Sequence, residues 1–247
     1  MVIAELRKLL ALPTAWAGLV IGVLLAPAIV LINARYTHAA LADGSYGDVS
    51  NLGIQDLGVA LIGPMVLGVV MISSEYTPTG EHSPGVTQLH ATLTAMPDRL
   101  RLLAAKLGAL ALVVLAQAVV VTAAVLALNE VLHGEFMPPL EPGRIAAVLL
   151  YWVLLAVFSF AIALIARNGI VPLTILIINN TFVSVSYLLT KVTDLAYYLP
   201  DIAGARMFIR GSAFEMEMSP LTAGVTMAGW IVLLLAIGGY LFQRRDA

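Results

Sequence analysis
The sequence predicts an all-α membrane protein of six transmembrane helices in a single transmembrane domain over 1–247. Three observations carry that reading. Hydrophobic residues make up 60% of the chain and charged residues 11%, less than half of the roughly 25% charged content of soluble domains. Mean hydropathy is +0.96. The apolar residues also fall into runs close to the roughly 20 residues that cross a bilayer, separated by polar breaks marked with proline and glycine.

Residues 1–13 predict a short interfacial helix. Val2, Ile3, Leu6, Leu9 and Leu10 share one helical face with Glu5, Arg7 and Lys8 off it, and Pro13 ends the pattern. Lys8, the apolar run after it and Ala26-Pro27-Ala28 imitate a signal peptide. Glu5 in the charged region, Pro27 in the cleavage site and a run long enough to span argue against cleavage. Spans are predicted at Thr14–Ile32, Ile54–Ser73, Leu107–Leu128, Ile145–Ala166, Ile170–Thr190 and Leu221–Phe242. The breaks are Asn33–Gly53, Ser74–Lys106, Asn129–Arg144, a tight Arg167-Asn168-Gly169 turn and Lys191–Pro220.

Basic residues in short loops are retained in the cytoplasm. With both termini inside, the inner set is Arg7, Lys8, Arg99, Arg101, Lys106, Arg167, Arg244 and Arg245, against an outer set of Arg35, Arg144, Lys191, Arg206 and Arg210. The bias predicts a multi-pass protein with both termini cytoplasmic, which places the 74–106 loop in the cytosol and the 191–220 loop outside. The outer loop mixes Tyr197, Tyr198, Ile202, Met207 and Phe208 with Asp201, Arg206 and Arg210. That composition predicts amphipathic surface at the membrane boundary, as a short re-entrant helical hairpin or as a plain interfacial loop.

Several chemistries lack their residues. There is no Gly-Lys pair, so a G-x-x-x-x-G-K-[ST] phosphate loop cannot be built. His-Glu-x-x-His and Gly-x-Ser-x-Gly are absent, and zero cysteines remove disulfides and thiolate metal sites. His38, His82, His90 and His133 are expected in loops without metal-ligand spacing, so no metal site is predicted. Charge is nearly absent from the spans, with Asp56 and Glu75 at their edges, which weighs against an ion-coupled carrier.

Deep polar residues are few. Gln117 and Ser159 read as interhelical hydrogen bonding, whereas Asn179, Asn180, Thr181, Ser184 and Ser186 fit either that role or a polar pathway. Gly18, Gly22 and Ala26 recur every four residues and predict a groove for close helix approach, within one subunit or between two. Gly58, Gly63, Pro64 and Gly68 predict a kinked or flexible second span, and Pro172 does the same near the start of span five.

The order of Glu5-Leu-Arg-Lys-Leu-Leu10, six spans, Glu75-Tyr76, Ala91-Thr-Leu-Thr-Ala-Met-Pro-Asp-Arg99 and Ala104-Ala-Lys106 resembles the ABC type 2 transporter permease family. The likeness covers nearly the whole chain and is most specific in the 74–106 loop, where a longer middle containing Thr77-Pro78-Thr79-Gly80 and Ser83-Pro84-Gly85 departs from the family pattern. The resemblance implies the membrane-spanning half of an ATP-driven exporter in a bacterial plasma membrane, moving an amphipathic antibiotic, peptide or lipid outward. It implies two protein partners besides membrane lipid: a separate ABC ATP-binding subunit, which would hold ATP and Mg and do the hydrolysis, and a second permease copy, identical or related. The chain itself would carry no cofactor and no catalytic residue, and nothing points to nucleic acid. A cytosolic coupling helix over about Val86–Met96 would dock on the ATPase with Glu75, Thr87, Leu89, Thr92, Leu93, Met96, Pro97 and Arg99, its apolar edge supplying the contact and Pro97 its end. Spans one, two and five would line the dimer seam and export path, through Gly18, Gly22, Ala26, Asn179, Asn180, Thr181 and Ser184. A gradient-driven secondary carrier and a non-transporting scaffold or sensor are the alternatives.

Overall fold
The computed structural model describes residues 1–76, 88–95, 98–181, 184–211 and 218–244. Among them every regular element is helical. The α-helices are α1 (Val2–Leu10), α2 (Pro13–Ala42), α3 (Ile62–Ser73), α4 (Gln88–Ala95), α5 (Arg99–His133), α6 (Pro142–Ala166), α7 (Ile170–Thr181), α8 (Val185–Thr190), α9 (Pro200–Ala205) and α10 (Pro220–Arg244). Among the described residues five segments are long and apolar enough to cross a membrane: Pro13–Ala42, Gln55–Tyr76, Arg99–Phe136, Pro142–Ala166 and Pro220–Arg244.

Local chemistry sets the helix ends. Pro13 and Pro142 open α2 and α6 at the first helical turn, where a missing N–H costs nothing. The Asp98 side chain caps α5 by accepting from the Arg101 N–H at 3.1 Å. Arg167 adopts a left-handed conformation with φ of 51° to end α6, and Asn168 Oδ1 accepts from Ile170 N–H at 2.7 Å at the start of α7. The tight turn expected at 167–169 is therefore present. The run expected as one span over 170–190 is instead divided into α7, of 12 residues, and α8, of 6. Twelve residues rise about 18 Å, short of the roughly 30 Å hydrocarbon core. Ser184 caps the start of α8, its hydroxyl accepting from the Tyr187 N–H.

The core is built around α3, which is buried along most of its length and packs on α2 and α6. Small residues let the backbones approach. A Cβ on Gly63 would lie 2.6 Å from Gly22 Cα, and one on Gly68 would lie 2.1 Å from the Ala156 carbonyl oxygen. The Gly18, Gly22 and Ala26 groove is thus filled from within the chain, by Gly63 and Val66 of α3 and by Gln117 of α5. Of the two uses the groove allowed, close packing inside the subunit is the one seen. Gln117 Nε2 donates to the Gly18 and Leu19 carbonyls at 3.1 Å each, and Ser159 donates to the Leu155 carbonyl at 2.8 Å. Gln117 thus bonds between helices, from α5 to α2, as expected, whereas Ser159 bonds back to its own helix α6 rather than to a neighbour.

The bundle has two chemically different ends. One carries α1, α4, the start of α5, the α6–α7 turn, where Arg167 lies over the Tyr76 ring, and the end of α10, where Arg99 donates to the Phe242 carbonyl at 2.6 Å. The other end is organised by Arg144, which is 7% exposed. Its Nε donates to the Phe208 carbonyl at 2.6 Å, and its other nitrogens donate to the Ser50 carbonyl and to Asn51 Oδ1. Asn51 in turn donates to the Arg210 carbonyl at 2.7 Å. One guanidinium so holds the 49–51 turn and the 206–211 segment against the start of α6. The aromatic segment before α10 folds back on the bundle, burying Tyr197, Ile202, Met207 and Phe208.

Candidate functional site
At the α4 end, four charged side chains and a hydroxyl converge. Glu75 follows α3 in a 3₁₀ turn and is fully buried; Lys106, two turns into α5, is 1% exposed. Lys106 Nζ lies 2.6 Å from Glu5 Oε2 of α1 and 2.6 Å from Glu75 Oε1. Lys8 Nζ also pairs with Glu75 and donates to Thr92 Oγ1 at 3.1 Å. The Thr92 hydroxyl lies 2.9 Å from Glu75 Oε2 and 3.0 Å from the Gln88 carbonyl. Two acids and two bases balance, as buried ions must. The cluster ties the loop helix α4 to α1, to the end of α3 and to α5 at once.

This arrangement bears on three expectations. First, α1 packs on the bundle through Glu5 and Leu9, with Val2 and Leu6 also against the core, while Ile3 is 65% exposed. Lys106 pairs with the buried Glu5, and Lys8 pairs with Glu75. Second, the helix that holds the expected span Leu107–Leu128 starts earlier, at Arg99, and so buries Lys106 at the edge of that span. Third, the expected docking edge of the loop helix points inward. Leu89 is 2% exposed, Leu93 packs against the core, and Glu75 is sealed beneath them. These apolar and acidic groups hold α4 to its own chain, whereas Thr94 is exposed on the opposite side. Arg99 is turned to α10, with its guanidinium 5.8 Å from the Phe242 ring centroid. The described loop helix, Gln88–Ala95, falls within the expected Val86–Met96. Thr87, Met96, Pro97 and His82 lie outside the described residues, as do the side chains of His90 and Thr181.

A second constellation gathers the polar residues of α7. Asn179 Nδ2 donates to Asp201 Oδ2 at 2.9 Å, and the Ser184 hydroxyl donates to the same oxygen at 3.0 Å. The Val185 N–H donates to Asn179 Oδ1 at 3.0 Å, which fixes the orientation of the amide. Asp201 Oδ1 is buried without a hydrogen-bond partner, and among the described residues no base pairs with this carboxylate. Beside it lies a cavity of about 230 Å³ walled by Leu155, Ile175, Leu176 and Met227, with Asn179 and Asn180 on its polar side. Gly204 keeps α9 in place here, since a Cβ would fall 2.0 Å from the Tyr151 ring. Asn179, Asn180 and Ser184 were legible as a polar stretch. Asp201 was not, because it belongs to a different predicted loop and its only sequence signal is an acid beside Pro200.

The histidines depart from expectation as well. His38 and His133 lie at the extended ends of α2 and α5 rather than in loops, with their rings stacked at 5.7 Å and their Nδ1 atoms 3.5 Å apart. Among the described residues no group of three or more His, Cys, Asp or Glu is placed to hold a metal. His133 and Asn129 line a polar cavity of about 280 Å³ with Tyr46, Gln55 and Asp56. Burial there, with the Asp56 charge, pushes the Tyr46 phenol up to about 12. The chain matches no protein-family model, no curated protein and no solved structure.

Proposed function
We propose that this chain is the membrane-spanning permease subunit of an ATP-driven exporter of the ABC type 2 class, energised by a separate ATP-binding subunit and paired with a second permease copy. The observation that carries the reading is the buried cluster joining α4 to α1, α3 and α5. A helix that only connects two spans needs no such anchorage, while one that transmits a push from outside the membrane must be joined stiffly to the helices it moves. The missing phosphate loop makes an outside energy source necessary for pumping.

In this reading α7 and α8 together form the sixth crossing, and the α4 end faces the cytosol because most of the basic residues belong to it. The ATPase meets the outward side of α4, around Thr94, rather than its Leu89–Leu93 edge. A gradient-driven carrier would place its working charges along a pathway near the midplane; here Glu75 and Lys106 join helix ends and neutralise one another. The test is purification in mild detergent from native membranes. The proposal expects Mg-dependent ATP hydrolysis that co-purifies with the chain and is lost when Thr94→Pro disrupts α4. Substrate-stimulated hydrolysis by the chain purified alone would contradict it.

A further inference from the structure
At the end of the bundle away from α4, a cavity of about 280 Å³ lies between α2, the 3₁₀ turns of Gln55–Leu61 and α5. Among the described residues Val30 is the one apolar residue on its wall, and Asp56 supplies the negative charge. Asp56 is partly exposed and, among the described residues, pairs with no base; its Oδ2 lies 3.4 Å from the Asn129 amide nitrogen. Its Oδ1 accepts no hydrogen bond from them and is not sealed from solvent. The two side chains that feel this carboxylate, Asn129 through the hydrogen bond and Tyr46 through its charge, both stand on the cavity wall. The open oxygen therefore belongs to the cavity.

The neighbouring amides have already committed their donors. Asn129 Nδ2 donates to the Val125 carbonyl at 3.0 Å as well as to Asp56, and Gln55 Nε2 donates to the Tyr46 hydroxyl. Their carbonyl oxygens remain, so the wall around Asp56 offers acceptors. A primary ammonium, with three N–H donors and no acceptor, matches that set, whereas an anion would add to the charge Asp56 carries. We propose that this cavity binds a primary ammonium carried on a hydroxylated body, with the ammonium donating to Asp56 Oδ1 and the hydroxyls bonding to Asn33 and Thr37. The body follows from the rest of the wall. Asn33 and Thr37 of α2 bring hydrogen-bonding side chains to it, and an apolar tail would strip their water and replace none of its bonds. This inference goes beyond the exporter reading and does not rest on it, since binding is a property of the chain alone.

The experiment is saturation-transfer NMR on the full chain in phosphatidylcholine nanodiscs, with empty discs subtracted, using glucamine, sorbitol and gluconate as probes. These share one polyol skeleton and differ at a single carbon, which carries an ammonium, a hydroxyl or a carboxylate. Saturable glucamine binding is expected, at least roughly tenfold tighter than either of the others, the scale of one charge-assisted hydrogen bond. Asp56→Asn should remove that preference, while Asp43→Asn, at an exposed acid just past α2, should keep it. Should Asp56→Asn unfold, Asn33→Trp fills the cavity with the acid retained and should abolish glucamine binding. Equal binding of glucamine and sorbitol, or a preference that survives Asp56→Asn, overturns the proposal, as does glucamine binding that survives Asn33→Trp. Phosphatidylethanolamine added to the discs should leave glucamine binding unchanged; competition would overturn the proposal in favour of a lipid headgroup.

Discussion

Both ends of the bundle bury charge, and they use it in opposite ways. Around Arg144 a single guanidinium faces neutral acceptors, two backbone carbonyls and one side-chain amide, each from a fixed turn. Around Glu75 charge meets charge, and the groups come from four separate elements. A rigid fork on carbonyls fixes loops in one geometry. Ion pairs shared among several partners, as Lys8 is shared between Glu75 and Thr92, are strong yet can exchange. The Arg144 end thus fixes its turns in one geometry, while the Glu75 end joins four elements through exchangeable pairs, an asymmetry that suits the coupled permease proposed above.

Mutations can break that comparison. The largest effect is expected from Lys106→Met, which leaves Glu5 and Glu75 buried with Lys8 as their remaining base; unfolding should become easier by about 3–5 kcal/mol. Thermal unfolding in nanodiscs reads this, and adding Glu75→Gln to the same chain should recover part of the loss. Next comes Arg144→Lys, which keeps the charge but loses the fork. A loss of about 2 kcal/mol is expected, with rapid hydrogen exchange in the 49–51 and 206–211 segments and none at α4.

Thr92→Val should cost about 1 kcal/mol, but locally: α4 amides exchange faster while the global unfolding temperature scarcely moves. If the whole bundle softens instead, α4 is part of the core rather than a lever upon it. The smallest effect belongs to Glu141→Gln. The Glu141–Arg210 pair is bidentate at 2.6 and 2.5 Å yet about half exposed, and should be worth less than about 1 kcal/mol, falling further in high salt.

Much of this fold was legible because long apolar runs and their caps are local signals. Pro13, Pro142 and the Arg167-Asn168-Gly169 turn announce helix ends in the residues themselves. The partition of 170–190 was not legible, since the run is apolar enough to span, and Ser184, which caps α8, bonds to Asp201, distant in sequence. The cluster at Glu75 failed for a related reason. Its charged members were all visible, but that Glu5 is buried against Lys106, about a hundred positions away, could be seen only in the folded chain. The small-residue groove was read correctly as a place of close approach, while its partner, Gly63, could be named only from the folded chain.

In the proposed function, α4 passes force between an external ATPase and the bundle. A photo-crosslinking amino acid at Thr94, exposed on α4, tests it most directly in native membranes. A crosslinked partner that binds ATP is expected, with a crosslink yield that changes when Mg-ATP is added; Thr92→Val should weaken that change. A chain that crosslinks to no ATP-binding protein from this position, while remaining folded and inserted, would contradict it.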